Sequence, residues 1–172
     1  MKEIIREPNP LLRKKSKRIT KITPEIRVLA KEMIDTMRHS ERPGVGLAAP
    51  QVGELIRLVV IAMGEVDYVL INPEIIEGDN PHIFKEGCLS VPGIWANIIR
   101  PKRVKFRYTN LRGKQVEGED DGFFARVLQH EIDHLDGKLF IDYVKTGEVV
   151  DVEEGFELPE SLKGDVVENR EE

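Results

Sequence analysis

His130-Glu131-Ile132-Asp133-His134 constrains the fold of this chain more than any other stretch. Residues four apart share one face of an α-helix, so a helix here lets both imidazoles reach a single metal ion. Glu131, one residue along, then sits beside that ion and not on it, where it can take a proton from water activated there. Phe123 and Val127 extend the histidine face at spacings of 4, 3 and 4 residues, which puts the ion at one end of an apolar stripe. Asp120 and Asp121 are N-cap candidates ahead of this helix, and Gly137 marks its end.

A zinc-type site requires a third protein ligand. One protease class continues the motif to a glycine and then another histidine. Gly137 is in register for that class, but Phe140 stands where the histidine would be. A second class takes a glutamate from a downstream helix. Glu153, Glu154, Glu157 and Glu160 are available, yet Val149-Val150-Asp151-Val152 and Gly155 make a poor helix. The remaining candidate is Cys88, the single cysteine, in Glu86-Gly87-Cys88-Leu89-Ser90. A lone cysteine is ordinarily a small buried thiol; beside a two-histidine helix, ligation is the better reading.

A third segment runs from Gly44 through Val45, Gly46, Leu47, Ala48, Ala49, Pro50 and Gln51 to Gly53. It lacks the lysine-serine/threonine ending of a phosphate loop. Taken alone it reads as a turn, although a glutamine behind such a turn can present an amide N–H to a developing oxyanion.

The rest of the chain supplies the frame. Thr23-Pro24-Glu25 predicts a helix start, and Ile26, Leu29, Ala30, Met33, Ile34 and Met37 continue it on one apolar face through about His39. Short strands are expected at Leu58–Ala62 and at Tyr68–Asn72, the latter stopped by Pro73. Val104, Phe106 and Tyr108 alternate with polar residues, and a turn at Asn110–Gly113 leads to a partner strand around Gln115–Glu117. Two helices among several strands predict an α+β fold, with mixed, mainly antiparallel sheets packed around the helix that bears the two histidines.

Charge divides the chain unevenly. Residues 145–172 hold ten acidic and three basic residues and carry −7 against a chain total of −5, leaving +2 on residues 1–144. We therefore expect a catalytic unit at 1–144 and an acidic, solvated tail at 145–172. No strongly basic surface suggests DNA or other nucleic acid as a partner. No apolar run reaches the ~20 residues of a membrane span. The charged N-terminus does not read as a signal peptide, and one cysteine fits a reducing cytoplasm.

Gly44–Gln51, Glu86–Ser90 and His130–His134 match, in order, the GxGLAAxQ, EGCLS and HExxH segments that mark the peptide deformylase family. The resemblance extends to Asn9-Pro10-Leu11-Leu12-Arg13 and Leu135-Asp136-Gly137-Lys138-Leu139-Phe140, and so covers residues 4–144. It implies a metal-dependent hydrolase that removes the formyl group from the N-terminal methionine of nascent proteins. By the same resemblance Cys88, His130 and His134 hold one divalent metal, usually Fe(II), with zinc, nickel or cobalt also able to occupy the site. Glu131 would be the proton acceptor and donor, while the Gln51 amide and the Leu89 backbone N–H hold the oxyanion. Val45 and Gly46 would contact the peptide backbone, and Val45, Phe84, Phe123 and Val127 would line the methionine pocket. Asp133 is expected to pair with Arg100 and so orient the metal helix.

Two departures stand out. Many members of the family end in a basic helix associated with ribosome docking, whereas residues 145–172 are acidic and carry Gly147, Gly155, Pro159 and Gly164. Phosphate-rich RNA would repel such a tail, so it is not expected to anchor the chain to the ribosome. Trp95 stands where the family varies, often with arginine or tyrosine, in reach of substrate beyond the first side chain. The rival readings are a metalloprotease, a metal-binding protein without catalysis, and a structural α+β domain. The first lacks its third ligand, the second does not require Glu131 or Gln51, and the third leaves all three motifs unexplained.

Overall fold

The structure, a computed structural model, describes residues 1–171. Helix α1 (Pro24–His39) begins as its sequence predicts: Thr23 Oγ1 accepts the Ile26 N–H at 3.3 Å, and Pro24 occupies the first turn. The strands are β1 (Gly46–Ala48), β2 (Leu58–Met63), β3 (Val66–Cys88), β4 (Val91–Thr109), β5 (Gln115–Asp120), β6 (Val149–Val152) and β7 (Val167–Arg170). Helix α2 (Phe123–Leu135) follows β5 and carries both motif histidines.

The seven strands form one sheet in the order β1-β2-β3-β4-β6-β7, with β5 also on β4. Every pairing is antiparallel except β6 with β7, so the sheet is mixed and mainly antiparallel. The α+β class with mixed, mainly antiparallel pairing is the expected one; the strands form a single sheet with α2 against one face, and do not surround the helix as several sheets.

The strand β2 is apolar at successive positions because both of its faces are covered. Leu58 and Val60 pack with Leu29, Met33 and Met37 of α1. Val59 and Ile61, one residue out of phase, pack with Ala125, Leu128 and Leu135 of α2. Each such fully buried side chain contributes roughly 2 kcal/mol of burial free energy. The period of two thus fixes α2 to the opposite face of the sheet from α1.

Three expectations are corrected. The strand through Tyr68–Asn72 does not stop at Pro73; β3 runs 23 residues and β4 runs 19. A register shift between Ile71 and Glu74 puts Pro73 at an irregularity, where its missing N–H breaks no ladder bond. The N-cap of α2 is Gly122. Asp120, at the end of β5, does the capping from a distance, its Oδ2 accepting from Gly122 N (3.1 Å) and Ala125 N (2.8 Å).

The third correction concerns the acidic segment, which is not simply solvated. Strand β6 pairs with Ile94–Ala96 of β4, and Val150, Val152, Leu158 and Leu162 are buried against Leu139, Phe140 and Ile141. Net charge says what faces water; the interspersed valines and leucines decide what packs. Among the described residues the segment forms no α-helix, and no helix is long and apolar enough to cross a membrane.

Candidate metal centre and substrate cleft

Spacing of four on α2 places His130 and His134 on one face, with ring centroids 5.2 Å apart. Strand β3 ends at Cys88, and the tight turn into β4 sets the thiol over that face. Cys88 Sγ lies 3.4 Å from His134 Nε2, and one donor atom from each of Cys88, His130 and His134 falls within 4.8 Å of the others. Ser90 N–H donates to the sulfur at 3.4 Å, and Gln51 Nε2 lies 3.7 Å from it.

Around these three lies a charged network. Glu86 Oε1 accepts from His130 Nδ1 at 2.9 Å, which leaves the His130 Nε2 lone pair for an ion. Arg100 donates from Nε and Nη2 to the two Glu86 oxygens at 2.7 and 3.0 Å. Burial alone would push the Glu86 carboxyl up; the hydrogen bonds from His130 and Arg100 outweigh it and hold the group down at about 2. Arg100 also reaches Asp133 at 2.8 Å, the pair expected from the sequence, and Tyr143 O–H donates to the same Asp133 oxygen at 2.8 Å. Arg126 Nε sits 2.7 Å from Glu86 Oε2, paired by charge but outside hydrogen-bonding alignment. Its Nη atoms donate to the His82, Phe84 and Ile98 carbonyls, tying α2 to β3 and β4.

Sequence reasoning missed Glu86 and Arg126 as parts of this site. Phe140, which excluded one protease class, stacks 6.0 Å from the His130 ring.

Glu131 is 4% exposed, and its Oε2 has no hydrogen-bond partner among the described residues. Burial pushes its carboxyl up to about 7. Gly46 makes room for it: a Cβ there would lie 2.8 Å from Glu131 Oε1 and 2.8 Å from Val127 Cγ1. The Gln51 side chain is held at both ends. Its Oε1 accepts the Ala48 N–H at 2.9 Å, and its Nε2 donates to Ser90 Oγ at 3.1 Å, which donates to the Ile5 carbonyl at 2.7 Å. One amide N–H of Gln51 remains on the side of the sulfur.

These groups open onto a cavity of about 680 Å³. Val45, Gly46, Phe84, Leu89, Phe123 and Val127 line it, with Gln51, Cys88, His130 and Glu131. Val45, Phe84 and Phe123 are each more than two-fifths exposed, and the Phe84 and Phe123 rings are 6.2 Å apart. Large apolar side chains left open on a cleft suit an apolar ligand group. The residues picked from the sequence are therefore brought together, with His134 behind the cavity wall at the sulfur.

A thiolate and two imidazoles are a donor set for a divalent transition ion. The buried, unpartnered Glu131 carboxylate oxygen beside them has a ready use next to activated water. The fold and this centre define a metal-dependent hydrolase with an apolar cleft. A sequence model of the polypeptide deformylase family matches residues 1–149. The chain is 50% identical over 147 residues to the peptide deformylase of Desulforudis audaxviator, covering 84% of this chain and 94% of that one. It is 44% identical over 142 residues to the peptide deformylase of Dictyoglomus thermophilum, covering 83% and 92%. The crystal structure of the Thermotoga maritima peptide deformylase superposes with a TM-score of 0.80 at 46% identity, over 84% of this chain and 97% of that one. The chain belongs to the peptide deformylase family, whose members are metal-dependent enzymes.

Proposed function

We propose that Cys88, His130 and His134 hold one divalent metal at the floor of the cleft, and that the enzyme there removes the formyl group from N-formylmethionyl peptides and releases formate. The observation that carries this is the convergence of the three donor atoms within 4.8 Å beside a buried Glu131. When bound, the metal supplies an electrophile that lowers the pKa of adjacent water. Glu131 accepts the proton of the attacking water and passes it to the departing amine. The Gln51 amide and the Leu89 backbone N–H donate to the oxyanion as it forms, where preorganised donors act most strongly. Val45 and Gly46 lie along the peptide backbone, while Val45, Phe84, Phe123 and Val127 enclose the methionine side chain.

The ion is Fe(II) by the family's habit; zinc, nickel or cobalt suits the same donors. An Fe(II)–thiolate pair open to solvent would lose activity in air by oxidation. We place the enzyme in the cytoplasm with nascent chains as substrate. Neither DNA nor, through its acidic C-terminus, the ribosome is a partner. Residues 1–144 carry the catalytic groups, and the acidic segment that follows supplies none of them but packs on their sheet through β6.

Metal analysis tests the centre. Protein loaded with metal under anaerobic conditions should hold one ion per chain, and Cys88→Ala and His134→Ala should each lose it while Glu131→Gln keeps it. Retention by Cys88→Ala would overturn the assignment.

A further inference from the structure

Two cations stand at the mouth of the cleft, and the C-terminal segment answers both. Lys85, on β3, pairs with Asp151 on β6. Arg42, in the loop after α1, puts Nη2 2.8 Å from each carboxylate oxygen of Glu153, one residue beyond β6. Glu153 Oε1 also accepts the Trp95 indole N–H at 2.8 Å. Arg42, Lys85 and Trp95 all line the cavity.

The segment is fitted to this place. Phe156 packs on Gly93 (φ +78°) so closely that a Cβ there would fall 2.1 Å from its ring, and the Arg42 guanidinium stacks 5.1 Å from the same ring. Glu153 N donates to the Gly93 carbonyl at 2.8 Å, and Asn169 Nδ2 donates to Asp151 at 2.7 Å. Lys85 first, then Asn169, holds the Asp151 carboxyl below its usual range; Trp95 and Arg42 do the same for Glu153. Both acids are therefore charged at neutral pH.

Exposed ion pairs of this kind add little to stability. Their position suggests another use. Of the other charged groups along the cleft, Arg126 is engaged on backbone carbonyls and Glu86 on Arg100 and His130, while Glu131 is buried at the floor. Lys85 and Arg42, each with its carboxylate partner, are the remaining charged side chains that line this cavity.

We propose that Asp151 and Glu153 are specificity-determining residues, neutralising Lys85 and Arg42 so that the enzyme accepts substrates regardless of the charge of the residues after the formyl-methionine. The proposal rests on the reading that the formyl end lies at the three metal ligands. Without the two carboxylates, the mouth would present two unpaired cations and draw in acidic peptides. An enzyme that meets many different nascent chains benefits from a mouth of no net charge.

The test compares formate release from three amidated peptides, formyl-Met-Ala-Glu, formyl-Met-Ala-Gln and formyl-Met-Ala-Lys, at about 0.01 M salt. For the parent, kcat/KM should be similar for all three. Each removed charge, acting across ~8 Å of water, weighs about twofold. The Asp151→Asn, Glu153→Gln double variant should therefore favour the Glu peptide over the Gln peptide by roughly fivefold, mainly through KM, and disfavour the Lys peptide. The preference should vanish at about 1 M salt, where the Debye length is ~3 Å. Lys85→Gln, which leaves Asp151 uncompensated, should shift preference the other way. Unchanged ratios, a preference that survives high salt, or no reverse shift in Lys85→Gln would each overturn the proposal. The Gln peptide with the parent is the control that separates it from the underlying reading. No formate there would overturn the deformylase assignment itself.

Discussion

Glu86 Oε1 lies 2.9 Å from His130 Nδ1, and the same carboxylate is gripped through both oxygens by Arg100. This relationship fixes the tautomer and ring orientation of one proposed metal ligand from a strand 44 residues away in sequence. A carboxylate in this position also makes the imidazole a stronger ligand. Arg100 continues to Asp133, so one guanidinium ties β3 to the motif helix.

Glu86→Gln should bind metal about tenfold more weakly, because the amide no longer makes a charged bond to the imidazole. It should also destabilise the fold by about 3 kcal/mol by leaving Arg100 buried without its main partner. Competition with a chelator and thermal unfolding check the two effects separately. Equal metal retention in parent and variant would remove Glu86 from the account of the metal centre.

Gly46→Ala tests the close approach of β1 to α2. The added methyl meets Glu131 Oε1 and Val127 Cγ1, each at 2.8 Å, and must displace the carboxylate. A shift of ~1 Å in a catalytic group can cost about 10²-fold in rate, so kcat should fall by that order with metal content preserved. Full activity would mean that Glu131 does not have to sit where it does.

Gln51→Ala removes the proposed oxyanion donor without touching the three proposed metal ligands. The expected loss is ~3 kcal/mol in the barrier, about 10²-fold in kcat, with one ion per chain retained. A change confined to KM would assign Gln51 to substrate binding instead.

The C-terminal segment should matter for stability. Leu158 is 7% exposed within the cluster that includes Phe140 and Val150. Leu158→Ala should cost about 2–4 kcal/mol, lowering Tm by roughly 5–10 °C. An unchanged melting curve would return residues 145–171 to the status of a solvated tail.

What the chain disclosed before its structure depended on how local each signal was. Helix α1 was legible because Thr23, Pro24 and the apolar spacing from Ile26 to Met37 all lie within one element. The two histidines and Glu131 were legible for the same reason. Glu86 was not, since no spacing rule relates a strand glutamate to a histidine 44 residues on. Pro73 misled because a proline ends a strand only where its N–H is needed, and the register shift there removes the need. In the acidic segment, Val150 and Val152 flank Asp151 in the alternation of a strand. The density of carboxylates masked that pattern, and the pairing of Glu153 with Arg42, 111 residues away, had no local sign at all.

The most direct test of the central claim is formate release from a formyl-Met tripeptide by anaerobically purified, metal-loaded enzyme, beside the Glu131→Gln variant loaded in the same way. The parent should release stoichiometric formate, and the variant at least about 10²-fold less at equal metal content. Equal release by the two, or none from the metal-loaded parent, would contradict it.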